Sequence, residues 1–296
     1  MIRRVVKKRS CVSRGLLWGI VASAVIVASV LMPYKSHGGN VDDIVFQAAD
    51  YHYKGKLNEA IIEFQKAVRM DPVNEYAHNQ LGILYAKKER YDDAFREFSY
   101  VVRIEERNTF ALLWLGILYL QQNDLDRAYE TFQKIITIDR HNADAYYFIG
   151  SIYNIRHNPL KAVEYLKKAR DADSEEADTH YRLGRAFHDL SMVNNAFLEY
   201  YRTLQLKPTH TRALNEIGWI YYTQGNYKAA IAEWQKIITI NARDREAISN
   251  LAKAYNELAF SALTKGKKRD AVSYWRATLA IMPKNKAAQY YLKQYR

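Results

Sequence analysis

The sequence predicts an all-α chain: a stack of about seven helical hairpins closed by a short terminal helix, with one membrane-length helix ahead of it. Three observations carry this. Glycine recurs at Gly82, Gly116, Gly150, Gly184 and Gly218, each 34 residues after the last. Alanine keeps the same step at Ala60, Ala94, Ala128, Ala162, Ala196 and Ala230, and so do the aromatics Tyr51, Tyr85, Tyr119, Tyr153, Phe187, Tyr221 and Tyr255. A further large series, Phe64, Phe98, Phe132, Leu166, Tyr200 and Trp234, shares it. A fixed period of this length is the signature of stacked repeats, each too small to bury its apolar face alone. Only 12 glycines and 5 prolines interrupt 296 residues, which favours long helices over many short strands.

The amino-terminal elements come first. Residues 1–14 form a basic tail with Arg3, Arg4, Lys7, Lys8, Arg9 and Arg14, and no acid precedes Asp42. Residues 15–32, GLLWGIVASAVIVASVLM, carry no charge. As a helix this run is about 27 Å long, close to the hydrocarbon thickness of a bilayer. The basic flank places the amino terminus in the cytoplasm and the rest of the chain on the far side, which in a bacterium is the periplasm. The predicted localisation is therefore a single-pass cell (inner) membrane protein with a periplasmic or extracytoplasmic body. A cleavable signal peptide is the alternative, with Val27-Ala28-Ser29 as a cleavage site and release of the body to the periplasm. Residues 33–40, PYKSHGGN, read as a short tether.

The repeats follow as residues 41–74, 75–108, 109–142, 143–176, 177–210, 211–244 and 245–285. In the third, Leu112, Leu115, Gly116 and Tyr119 lie on one face of a first helix, and Ala128, Phe132 and Ile135 on one face of a second. Asn123-Asp124 makes the turn between them, as Gly225-Asn226 does in the sixth. The glycine and alanine are small enough to let paired helix backbones approach. The seventh repeat carries extra residues between Tyr255 and Gly266, about two helical turns, so its first helix can lengthen without rotating its faces. This reads either as an oversized turn or as a ledge for a partner. Residues 286–296 read as a capping helix with Ala287, Tyr291 and Tyr295 on one face.

The pattern Leu112-Leu115-Gly116-Tyr119-Ala128-Phe132-Ile135, with Pro72, Pro208 and Pro283 at the hairpin-closing position, resembles the tetratricopeptide-repeat (TPR) family. The resemblance implies a right-handed superhelix, an α-solenoid whose inner surface comes from the first helix of each hairpin. It is specific for fold and says little about function, because the scaffold serves many partners.

The chemistry-bearing residues give no catalytic site. Cys11 is the one cysteine, so there is neither a disulfide framework nor a cysteine zinc site. No HExxH, phosphate-cradling loop or dinucleotide fingerprint occurs. His180 sits where the repeat requires a packing residue, and His188-Asp189 lacks a nucleophile in register. The chain is expected to be no enzyme and to hold no cofactor or metal. Of the 44 basic residues, six lie in the tail, leaving 38 against 32 acids. That excess is mild and unclustered, so no nucleic-acid partner is expected.

The inner positions implied by the resemblance begin with Tyr76, Asn79 and Ile83, then Phe110, Leu113, Ile117 and Leu120. Tyr147, Ser151 and Asn154 come next, followed by Tyr181, Arg185 and His188, and last Asn215, Trp219 and Tyr222. This face reads as apolar in the third repeat and as aromatic, basic and polar toward the sixth. Exposed contiguous apolar surface marks an interaction site. A protein or peptide partner with apolar residues followed by an acidic or carboxy-terminal group suits that gradient. The ordered clamp with which some family members hold chaperone tails is missing, since Val45, Ala49, Ile83 and Leu113 stand at its positions. The expected function is a membrane-anchored adaptor that holds a partner in the groove and scaffolds a cell-envelope complex. A homo-oligomeric layer on the membrane surface is the alternative.

Overall fold

The computed structural model describes residues 39–295. Every regular element among them is an α-helix. In chain order these are α1 (Gly39–Tyr53), α2 (Leu57–Met70), α3 (Glu75–Lys87), α4 (Tyr91–Ile104), α5 (Thr109–Gln121), α6 (Leu125–Ile138) and α7 (Ala143–Ile155). They continue as α8 (Pro159–Ala172), α9 (Ala177–Asp189), α10 (Val193–Leu206), α11 (Thr211–Thr223), α12 (Tyr227–Ile240), α13 (Arg245–Thr264), α14 (Lys268–Ile281) and α15 (Lys286–Gln294). None of these helices is long and apolar enough to cross a membrane. The predicted anchor at 15–32 lies outside the described residues, as do the basic tail and most of the tether. Helix α1 already includes Gly39 and Asn40, two residues read from the sequence as tether.

The chain divides into two compact units, ending and starting at Ile152 and Tyr153. The first contains the hairpins α1–α2, α3–α4 and α5–α6 and most of α7. The second contains the end of α7, then α8, the hairpins α9–α10, α11–α12 and α13–α14, and α15.

Each hairpin turn is built the same way. Gly55, Glu89, Asn123, His157, Ser191, Gly225 and Gly266 all have φ between 54° and 75°, the left-handed region. In the first six turns the next residue's N–H reaches back to the aromatic series of the first helix, as from Arg90 to the Tyr85 carbonyl, Asp124 to Tyr119 and Asn226 to Tyr221, each at 2.9 Å; in the seventh, Lys267 reaches Ala262. The left-handed residue itself donates to the carbonyl one residue beyond, as from Glu89 to Ala86 at 3.0 Å. This pair of bonds satisfies carbonyls that the helix end leaves open. The aromatic period in the sequence is thus also the period of helix termination.

The opposite turns are fixed by side-chain caps. Asn74, Asn108, Asn142, His210, Asp244 and Asn285 each accept a hydrogen bond from an alanine N–H three residues on, at 2.8–3.1 Å. Such a cap contributes about 1 kcal/mol to each first helix.

The glycine series has a different purpose from the one its size suggests. A methyl group at Gly116 would lie 2.5 Å from the Phe132 ring, and one at Gly184 would lie 2.7 Å from Tyr200. Gly82 meets Phe98 and Gly218 meets Trp234 in the same manner. The notch accepts the large side chain of the second helix; it is a ring on a backbone, not backbone on backbone. Phe98, Phe132, Tyr200 and Trp234 are fully buried as a result.

At the carboxy end α13 has 20 residues where the other first helices from α3 onward have 13, so the extra residues extend the helix itself. Phe260 on that extension meets Trp275 and Tyr291 at 5.9 and 5.1 Å. Helix α15 covers Trp275 with Tyr291, stacked at 4.9 Å, and Tyr295 at 5.7 Å. Its buried alanine is Ala288, whereas Ala287 is exposed, so the predicted face is corrected by one residue.

Candidate partner-binding face

In the first unit the predicted groove residues are mostly covered. Asn79 and Ile83 are 0% and 1% exposed, Ile117 and Leu120 are 6% and 8%, and Tyr147 and Ser151 are buried too. Tyr76, Phe110 and Leu113 are half-buried. The expectation of an open apolar wall is therefore corrected at Ile117 and Leu120, while Phe110 and Leu113 keep part of their surface. The reason lies in the helices themselves. Helix α5, TFALLWLGILYLQ, has no charged residue on any side, and in α3 every residue from Ala77 to Ala86 is buried. A helix apolar all round has no solvent face to offer. Phe110 lies edge-on to Phe98 and Trp114 at 6.4 and 6.5 Å, part of the unit's own core.

Several polar atoms remain without hydrogen-bond partners at these registers. Both amide atoms of Asn79 and the Ser151 hydroxyl are buried and unpartnered in the first unit. In the second unit the side-chain oxygens of Asn154 and Asn256 are likewise unpartnered, and they stand at equivalent positions three repeats apart. A buried polar group without a partner costs about 1–3 kcal/mol, so a row of them needs a reason.

The second unit presents the more open face. Arg185 and His188 are exposed, Asn215, Trp219 and Tyr222 are half-buried, and Tyr181 is buried at 7%. Trp219 lies edge-on to Tyr222 and Trp234, at 5.3 and 5.5 Å, and the Lys253 ammonium sits 5.1 Å from its ring centre. The Tyr222 hydroxyl donates to Glu257 at 3.4 Å. Asn215 is fixed in one orientation: its oxygen accepts from Trp234 Nε1 at 3.1 Å and Asn250 Nδ2 at 3.0 Å, while its Nδ2 donates to Glu246 at 3.0 Å. His210, besides capping α11, reaches Asp178 at 3.2 Å, and that bond holds the Asp178 carboxyl below the usual range.

A cleft of about 360 Å³ opens beside this cluster, lined by Tyr181, Arg212, Asn215, Glu216, Asp244 and Glu246 among others. Burial pushes the Glu216 carboxyl up; Arg185 and His188 draw it back, and Glu246 and Asp189 add to the rise. The sequence list missed these acids, so this face is mixed in charge rather than basic. They were within reach of the period. Glu246 stands five repeats after Tyr76, a register already counted as inward, and Glu216 stands four repeats after Gln80.

His180 and His78 fill structural roles. His180 bridges Glu199 at 2.6 Å and the Ser174 carbonyl at 3.1 Å. His78, three repeats earlier, does the same with Glu97 and Pro72 at 2.6 and 3.0 Å. Among the described residues no three metal-capable side chains gather.

Comparison with known families settles what the period means. A family model described as TPR repeat matches residues 49–89, and two described as tetratricopeptide repeat match 86–152 and 211–244. Residues 49–152 and 211–244 are tetratricopeptide repeats. Such repeats are typically protein-interaction modules without catalytic function. Among solved structures, the C-terminal part of a TPR repeat-containing protein from Cytophaga hutchinsonii is 20% identical, with a TM-score of 0.65, covering 82% of this chain and 97% of that one. PilF of Pseudomonas aeruginosa is 16% identical with a TM-score of 0.64, covering 72% and 97%. A tetratricopeptide repeat protein from Parabacteroides merdae is 15% identical with a TM-score of 0.59, covering 87% and 99%. At these identities the likeness is one of fold. No curated protein matches the chain.

Proposed function

We propose that this chain is an adaptor that holds an extended segment of a partner protein along the first-helix face of its second unit. The observation that carries the reading is the mixture on that face: exposed Arg185 and His188 beside a half-buried Trp219 and Tyr222. Aromatic and arginine side chains are the commonest anchors of a binding interface. The apolar wall of the first unit contributes stiffness.

In this proposal residues 15–32 tether the adaptor to a membrane with the repeats on the outer side, where it scaffolds a cell-envelope complex. The uncharged run and its basic flank support that placement. Photo-crosslinking from a probe at position 219 in the intact cell, with identification of the captured chain, tests the adaptor. The double variant Trp219→Ala, Tyr222→Ala should keep its helicity and lose the crosslink made from a second probe at position 185; an unchanged crosslink removes this face from consideration. A carboxy-terminal alkaline phosphatase fusion tests the placement and should be active. An inactive fusion places the repeats in the cytoplasm.

A further inference from the structure

We infer that the cleft beside Asn215 reads a cationic side chain, lysine or arginine, of the bound segment, with Glu216 as its counter-ion and Tyr181 as its wall. The inference rests on the adaptor reading and adds the chemistry of one subsite to it. Glu216 is half-buried, and no hydrogen bond or ion pair joins it to any neighbour among the described residues. Its surroundings explain why none is at hand. Asn215 is committed to Trp234, Asn250 and Glu246. The Tyr200 hydroxyl, on which the Glu216 charge acts, is buried and unpartnered.

The cleft has room, about 360 Å³, and its lining contains three carboxylates, Glu216, Asp244 and Glu246, against the single guanidinium of Arg212. Two of the three are already engaged, Asp244 in capping α13 and Glu246 with Asn215. Glu216 alone is left with its lone pairs free. A partly desolvated carboxylate without a partner is unfavourable, and an arriving ammonium or guanidinium relieves that while making a charge-assisted hydrogen bond. Tyr181 lies tilted against the capping His210 ring at 4.8 Å and 5.9 Å from Tyr200, so the wall is held in place before any ligand arrives. Arg185 and His188 attract Glu216 without pairing to it, and Arg185, Arg212 and Arg182 act on Tyr181. Arg185 and His188 also repel an arriving cation, but both are exposed to solvent and their charge is screened by salt. Contact with Glu216 is not. A neutral donor could use the same carboxylate, but it would leave the charge of Glu216 uncompensated.

The test is a library of random dodecapeptides displayed on phage and selected on the full chain, immobilised through a carboxy-terminal tag, followed by binding of the selected sequences as synthetic peptides. The expected result is enrichment of lysine or arginine at one position, with affinity falling about ten- to a hundredfold when that residue becomes norleucine, the range of a hydrogen bond to a charged group. In Glu216→Gln, an isosteric change whose helicity is checked by circular dichroism, the same peptide should lose that discrimination and bind lysine and norleucine forms alike. Peptides that bind with no basic position, or a lysine preference that survives Glu216→Gln, overturn the cationic subsite and leave the adaptor intact. Failure to enrich any peptide overturns both.

Discussion

At the scale of single residues, the period hides unequal demands on equivalent positions. Seven turn residues share a left-handed backbone, yet only three are glycine; Glu89, Asn123, His157 and Ser191 adopt it with a Cβ. Replacing Ser191 with glycine should stabilise the chain by about 0.5–1 kcal/mol, read as a shift in the denaturant midpoint, because glycine enters that region without steric cost. Gly116→Ala should act in the opposite direction by about 1–3 kcal/mol, since the new methyl group must displace the Phe132 ring. Equal unfolding of that variant and the parent would mean the notch is not packed as described. Glu216 gives a pH signature. Its carboxyl is raised, so its contribution to stability is present below about pH 4.5 and is lost as pH rises through its folded value. Glu216→Gln should therefore be more stable than the parent at neutral pH and equal to it in acid. A loss of stability at neutral pH would show that the carboxylate has a partner.

At the scale of elements, the helices hold one another through terminal contacts as much as through core packing. His52 in α1 lies 2.6 Å from Lys87 in α3, and burial, aided by that ammonium, lowers the imidazole pKa. The unfolded chain takes up this proton first, so stability is full above about pH 6.5 and falls as pH drops through the folded value. His52→Gln should flatten that limb of the stability curve between pH 7 and 5; a curve unchanged in slope would assign it elsewhere. Helix α15 is short and amphipathic, and its reason to exist is Trp275. Ending the chain after Asn285 uncovers that ring and should cost about 2–3 kcal/mol, the scale of exposing one large apolar side chain. A new dye-binding apolar surface should accompany the loss of thermal stability.

At the scale of the molecule, each unit is a row of hairpins in which a helix touches its neighbours in sequence. Stability in such an arrangement is a sum of local terms, largest where a helix is covered on all sides and smallest at the ends. Amide exchange should be slowest in α3 and α5, whose residues are almost all buried, and fastest in α1, α15 and the Lys265–Lys267 turn. Slower exchange in α15 than in α5 would contradict the burial pattern. Protein binding is the typical use of such a fold, and the second unit offers the chemistry for it. The proposal of an envelope location adds the compartment in which that face works.

Much of this was legible in the chain alone. The 34-residue step in glycine, alanine and aromatics determined the helical hairpins, because each of those residue types answers a local steric need that repeats with the backbone: a notch, a close contact, a filled gap. Counting residues between Tyr255 and Gly266 allowed α13 to lengthen but left an oversized turn equally open, and the structure decided for the longer helix. The register also named the candidate face, but it could not say which of its residues are free. Ile117 and Arg185 occupy equivalent rungs, yet one is buried and the other exposed. That difference depends on how much apolar surface surrounds each helix in three dimensions. The acids at Glu216 and Glu246 became part of the face for the same reason: a period tells which way a side chain points, while its neighbours across the stack decide whether it is paired, covered or open.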